Sequence, residues 1–121
     1  NSTDNMIYFI VSEKDYENVY RYNPHGKSLE KLNLSEEVVN TLSLSGNSLM
    51  AAYSGESVSN PAKAYLLDLK TQKSILIDNS YKEELQQLES GEGKDWNFTS
   101  SDGTTISGRY YLPPNFDSSK K

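Results

Sequence analysis

One β-rich phrase occurs twice in this chain, about 45 residues apart, and a repeat of that length restricts the folds open to it. Tyr20-Arg21-Tyr22-Asn23 lies over Tyr65-Leu66-Leu67-Asp68, and Lys27-Ser28-Leu29 lies over Lys73-Ser74-Ile75. In the first copy, Met6–Val11 is a compact β-branched and aromatic run, the pattern of a strand buried on both faces. Lys14-Asp15 breaks it, and Asn18–Tyr22 resumes with Tyr20 and Tyr22 on one face. Asn23-Pro24-His25-Gly26 has the composition of a type I turn, with Pro second and Gly fourth. Leu29–Leu34 then alternates as an outer strand with one wet face.

The second copy is laid out similarly. Val38–Leu44 reads as a strand, Gly46-Asn47 as a tight turn, and Leu49–Tyr53 as the next strand. Ser54–Pro61 is rich in Ser, Asn and Pro and reads as a polar loop. Ala64–Leu69 resumes, Lys70–Gln72 turns, and Ser74–Asp78 closes the set. About four short strands per unit of about 45 residues is the pattern of β-propeller blades, with an unrelated β-meander as the alternative.

The period then changes. Ser80 and Glu83 have the spacing of a capping box, and Tyr81, Leu85 and Leu88 form a narrow apolar stripe that Gly91 ends. This is a short surface helix. Asp95–Ser100 places Trp96 and Phe98 on one face, Asp102-Gly103 reads as a two-residue turn with both central residues at positive φ, and Thr105–Leu112 returns to a stop at Pro113-Pro114. The fold class is therefore mainly β: about two antiparallel blades, a short helix and a β-hairpin.

Composition narrows the function. Nine Tyr, three Phe and one Trp in short runs argue for folded β-structure, although the hydrophobic share is only 35%. A net charge of −5 without a Lys/Arg run speaks against a nucleic-acid partner. The absence of cysteine excludes disulfides and thiolate metal sites. No segment approaches the about 20 apolar residues of a membrane span. The chain starts Asn1-Ser2-Thr3 without an initiator Met and carries no basic-then-apolar leader pattern, which reads as a cut start.

The stretch from Trp96 to Gly108 matches F-x-S-x-D-G-x-x-I-x-G through Phe98, Ser100, Asp102, Gly103, Ile106 and Gly108, and Leu112-Pro113-Pro114 follows. This stretch, about 27 residues with its continuation to Lys121, resembles the beginning of the α/β-hydrolase domain in the prolyl oligopeptidase family of serine peptidases, which includes dipeptidyl-peptidases and acylaminoacyl-peptidases. The resemblance implies blades in residues 1–79, a linking helix and loop in 80–94, and a truncated hydrolase hairpin in 95–121. It implies a parent enzyme with a Ser-Asp-His triad, a propeller that gates access, and a peptide substrate. The chain's partners would be the rest of its own chain and, in an oligomer, further copies. Its compartment would be the periplasm or cytoplasm of a bacterium. No cofactor is expected.

No catalytic, cofactor-binding or metal-ligating residue is assigned. The nucleophile elbow G-x-S-x-G is absent: Gly46-Asn47-Ser48 runs on to Leu49-Met50, and Gly55-Glu56-Ser57 to Val58-Ser59. His25, the sole histidine, reads as a turn residue, without the nucleophile and carboxylate that a triad places around it. Glu36-Glu37 and Glu83-Glu84 read as solvated charge, because neighbouring side chains diverge while paired catalytic carboxylates converge. Asp102 reads as a turn residue. Tyr8, Tyr20, Tyr22, Tyr53 and Tyr65 read as packing between sheets rather than a ligand channel. Tyr110 and Tyr111 point to opposite faces, so one of them should meet the hydrolase core. Asn33 and Asn97 sit in glycosylation sequons that chance explains. The rival readings are a non-catalytic β-propeller or β-meander binding module, and an esterase with an N-terminal β-domain.

Overall fold

Turn chemistry sets the strand order. β1 (Ile7–Glu13) and β2 (Tyr16–Asn23) pair antiparallel across Lys14-Asp15, and β3 (Ser28–Lys31) returns along β2. Lys14 adopts φ 59°, the left-handed conformation a two-residue turn demands. β4 (Val38–Leu44), β5 (Met50–Ser57), β6 (Asn60–Asp68) and β7 (Lys73–Asp78) form a four-stranded antiparallel meander. One parallel pairing, Glu17 with Val38, joins β2 to β4. This computed structural model describes residues 4–58, 60–79, 82–86, 88–89 and 91–120, without the side chains of Leu85 and Gln86. The chain divides into two compact units, Asn1–Ser80 and Tyr81–Lys121.

The two meanders repeat one another in detail. Four-residue loops join β2 to β3 and β6 to β7, closing on Asn23 opposite Ser28 and Asp68 opposite Lys73. Asn23 Oδ1 accepts from the amides of His25 and Gly26, both at 3.0 Å. Asp68 Oδ1 accepts from the amides of Lys70 and Thr71 at 2.9 and 2.8 Å. The last residue of each loop is left-handed, Lys27 at φ 50° and Gln72 at φ 55°. These loops correct the sequence alignment by one position: Ser28 corresponds to Lys73, and Lys27 to Gln72. The correction matters because a one-residue slip moves every side chain to the other face of the sheet.

Three further expectations change. The strand expected over Leu29–Leu34 ends at Lys31. Leu32 still donates its amide to Val19 O at 2.9 Å, but turns its side chain into the core. The polar loop expected over Ser54–Pro61 is mostly strand, since β5 runs to Ser57 and β6 starts at Asn60. Pro61 is tolerated because the register shifts between Gly55 and Ser57, a bulge where no ladder donor is needed. Met6–Val11 is not buried on both faces either. β1 is an edge strand, and Ile7, Phe9 and Ile10 stay exposed.

The core lies between the meanders. Val19, Leu32, Val39, Ala51, Tyr53, Tyr65, Leu67 and Leu69 are buried together, with Tyr8, Leu34, Leu42 and Leu44 packed around them. Each fully buried Val or Leu contributes about 1.5–3 kcal/mol. Alternation along β5 and β6 delivers Ala51, Tyr53, Tyr65 and Leu67 to one face.

In the second unit, α1 (Lys82–Gln86) is five residues long. The expected cap Ser80 and the stripe residue Tyr81 lie outside the described residues, as does the side chain of Leu85. Leu88 of that stripe is exposed. β8 (Glu92–Thr99) and β9 (Thr105–Leu112) form a hairpin whose first strand begins three residues earlier than expected, where Glu92, Gly93 and Lys94 pair with Leu112, Tyr111 and Tyr110. The turn also differs. Ser100 N donates to Thr104 O and Gly103 N to Ser100 O, and only Gly103 has positive φ, at 86°. This is a type I turn followed by a left-handed glycine, the three-residue hairpin loop, in which Asp102 needs no unusual backbone.

Candidate functional site

Sequence reasoning missed a polar cluster at the junction of the meanders, in which the Glu36 side chain is buried. The link over residues 32–37 crosses from β3 to β4, and its polar groups are caught by the second meander. Asn33 N donates to Gln72 Oε1 at 3.0 Å, and Ser35 N donates to Tyr53 OH at 3.1 Å. Tyr53 OH in turn donates to Ser74 Oγ at 2.9 Å. Glu36 goes deepest. Its side chain is only 5% exposed, Tyr65 OH donates to its carboxylate, and Lys63 Nζ stands 3.8 Å away.

The expectation that Glu36 belongs to a solvated charged face is therefore wrong. A buried carboxylate requires partners, and alternation puts Lys63 and Tyr65 on one face of β6 to supply them. Gly55 makes the room: a Cβ there would lie 2.9 Å from Val38 O and 3.0 Å from Glu36 Cβ. Burial, and then the hydrogen bond to Glu36, push the Tyr65 phenol far above its ordinary value of 10.0. A neutral phenol with so high a pKa is a donor that stays protonated, not a base. The arrangement clamps the link over residues 32–37 to the second meander. The only sequence hint is a Lys and a Tyr two apart in the second copy, which the first copy lacks.

Arg21 sits at the edge of the same core. It donates from Nη1 to Leu69 O at 3.1 Å and pairs through Nη2 with Glu30 Oε2 at 2.5 Å. The Glu30 partner raises the guanidinium further, and Arg21 holds the Glu30 carboxyl below its ordinary value. A groove of about 400 Å³ opens beside it, lined by Asp4, Tyr8, Leu49 and Lys70 among others. A cavity of about 580 Å³ in the second unit is lined by Glu92, Lys94, Tyr110, Pro113, Asn115 and Phe116 among others.

The remaining sequence candidates fall as follows. His25 is exposed in the loop between β2 and β3 and lines neither cavity. Glu83 and Glu84 are exposed on α1. Asp102 serves the turn, accepting from the Thr104 amide at 2.9 Å and from the Ser100 hydroxyl. Tyr53 and Tyr65 pack in the core, and Tyr8 beside it. Tyr20 and Tyr22 are half-buried on the opposite face of the first meander. Asn33 and Asn97 are both exposed. Among the described residues, no group of His, Asp and Glu is placed to hold a metal ion, and no helix is long and apolar enough to cross a membrane.

The hairpin has two unlike faces. Trp96 and Phe98 stack at 5.4 Å and 6°, opposite Gly108 and Ile106, with Tyr110 on the same side. All four large side chains are exposed, Trp96 by 41%. The other face carries Asp95 and Arg109, paired at 2.8 Å, with Asn97 and Ser107 beyond them. Tyr111 shares that polar face and is also exposed.

No protein-family model matches the chain, and no curated protein matches it in sequence. Solved structures do match in fold. A serine-to-alanine variant of the AtxE2 isopeptidase with an astexin bound superposes on 100% of the chain with a TM-score of 0.77 and 14% identity. The apo AtxE2 isopeptidase superposes on 97% with a TM-score of 0.73 and 14% identity. A serine-to-alanine mutant of puromycin hydrolase complexed with PGG superposes on 89% with a TM-score of 0.60 and 19% identity. The chain spans 19%, 18% and 16% of those three proteins, so what it shares with them is the fold of a segment.

Proposed function

We propose that this chain is a segment of a serine peptidase of the prolyl oligopeptidase type, acting on short peptides. Its first 79 residues would be late blades of a β-propeller that gates access to the active site. Residues 95–121 would begin the α/β-hydrolase domain that carries the triad. One observation bears most of the weight: two meanders of matching register, then the hairpin, follow the same course as a segment of an isopeptidase over the whole chain. Another neighbour is named as a hydrolase, puromycin hydrolase. The phrase from Phe98 to Gly108 supports the reading independently of backbone similarity.

On this reading the chain contributes no catalytic group. Its work is mechanical: the Glu36 cluster fixes one meander against the next, and the apolar hairpin face meets the hydrolase core. The test is turnover of dipeptidyl and acyl-aminoacyl p-nitroanilides by the product of the reading frame continued past Lys121. Hydrolysis there and none by residues 1–121 is the predicted result. A product inactive on amide substrates but active on simple esters would favour the esterase reading.

A further inference from the structure

Two residues at matching places in the two meanders take a left-handed backbone, and neither is glycine. Lys27 ends the β2–β3 loop at φ 50° and Gln72 ends the β6–β7 loop at φ 55°. That conformation is costly for a residue with a Cβ and suits glycine. The turns are already set by the Asn23 and Asp68 caps. At position 72 the side chain explains the choice. Gln72 Oε1 accepts from the Asn33 amide at 3.0 Å, and Gln72 Nε2 donates to the Glu30 carboxylate. A glutamine offers an acceptor and a donor at that reach, whereas a lysine offers donors alone and an ionised glutamate acceptors alone.

These contacts close into a ring. Glu30 takes Gln72 on Oε1 and Arg21 on Oε2, and Arg21 Nη1 returns to Leu69 O in the same loop as Gln72. The link over residues 32–37 hangs from this ring. It is anchored at one end by buried Leu32, whose amide bonds to Val19 O, and at the other by the Glu36 carboxylate on Tyr65. Between the anchors, Asn33 and Ser35 are exposed, and their amides bond to side chains of the second meander, Gln72 and Tyr53. Residues 31–37 form one wall of a cavity of about 270 Å³, which Tyr16, Glu17, Asn18 and Val39 complete.

We infer that residues 33–35 are a flap over this cavity and that Gln72 is its latch. A bond to a side chain breaks by a change of rotamer, so the flap lifts while both sheets keep their ladders. Leu32 and Glu36 stay in place as its hinges. Water takes over the exposed Asn33 and Ser35 amides as soon as they are released. Leu34 leaves its place against the core during the opening, which keeps the lifted form a minor one. Such local openings are what amide exchange reports. The inference is independent of the peptidase reading, since exchange is read whether or not the protein turns over a substrate.

The experiment is hydrogen–deuterium exchange, read residue by residue by mass spectrometry, on the product of the reading frame continued past Lys121. Gln72→Gly accepts the left-handed backbone and removes the latch. The reporter is the Ser35 amide, whose own partner Tyr53 the substitution leaves intact. Its exchange is expected to quicken about 3- to 10-fold, as the loss of one hydrogen bond from a local opening predicts. Asn33 should quicken at least as much, while the ladder amides of β5 and β6 keep their parent rates. Gln72→Asn, equally at ease in the left-handed region but one methylene too short, should behave as Gln72→Gly does, and it stands in if the glycine variant fails to fold. A Ser35 amide that keeps its parent rate would overturn the inference, because Gln72 would then hold a single amide and no flap. Equal acceleration across β5 and β6 would overturn it too, by showing that the whole unit loosens, and so would full protection in Gln72→Asn.

Discussion

Replacing Tyr65 by Phe removes one oxygen and tests whether the Glu36 cluster holds the first unit together. The ring, its stacking on Tyr53 and its buried area all remain, so the loss is confined to the hydrogen bond donated to Glu36. A hydrogen bond to a charged group contributes about 1.5–3 kcal/mol. Stripping a buried charge of every partner costs about 3–5 kcal/mol. Lys63 at 3.8 Å remains as a partner, so the loss should stay below that range. About 2 kcal/mol is expected, equivalent to a fall in Tm of about 8–16 °C for a unit of this size. Glu36→Gln keeps an acceptor for the phenol but loses the charge, and about 1 kcal/mol is expected. The assay is urea unfolding followed by far-UV and tyrosine circular dichroism. The sole tryptophan, Trp96, lies in the other unit, and its fluorescence would report the wrong transition. The reasoning fails if Tyr65→Phe costs less than about 0.5 kcal/mol, or if the double variant loses the sum of the two single losses.

Other consequences are checked with the same chain. The Tyr65 phenol is held above its ordinary value of 10.0, so beyond that pH the unfolded chain releases the proton while the folded chain keeps it. Stability is therefore intact below pH about 10 and falls as pH rises further; urea midpoints should drop less steeply in Tyr65→Phe, and parallel curves would contradict the assignment. Glu30 is held below its ordinary value by Arg21, so its contribution is present above pH about 4.5 and lost as pH falls; Glu30→Gln should flatten the acid limb of the same titration. Gly108→Ala places a Cβ 2.7 Å from Trp96 Nε1, so the indole must leave its stack on Phe98 at a cost of about 1–3 kcal/mol. A red shift and broadening of Trp96 emission is expected, and an unchanged spectrum would show that the ring is not held over the glycine. Residues 1–121 alone should show no turnover of peptide or ester substrates, and measurable catalysis by the pure chain would sink the structural role assigned to it.

What could be read from the sequence was whatever rests on local period and turn chemistry. Val38–Leu44 and Thr105–Leu112 coincide with β4 and β9, the second bounded by Asp102-Gly103 and Pro113-Pro114, although a bulge between Val39 and Thr41 interrupts the alternation of β4. Ser54–Pro61 misled because Ser, Asn and Pro are loop formers on average. Here a bulge absorbs Pro61, and Ser54 sits opposite Ala64 on an outward face. The repeat was visible as a phrase, but its register was not, because the loops set by Asn23 and Asp68 decide it through side-chain caps. Glu36 was invisible for a different reason. Its burial depends on Tyr65, Lys63 and the space beside Gly55, contacts made across the fold by residues far away in sequence.

On the proposed reading, these residues belong to a serine peptidase whose catalytic groups lie elsewhere in its chain. The most direct test is to treat the product of the continued reading frame with a fluorophosphonate probe and locate the adduct by mass spectrometry. The account predicts a single labelled serine within a G-x-S-x-G sequence beyond Lys121, with none of the serines of residues 1–121 labelled. A product that takes up no probe, or takes it up on a serine within these 121 residues, would contradict it.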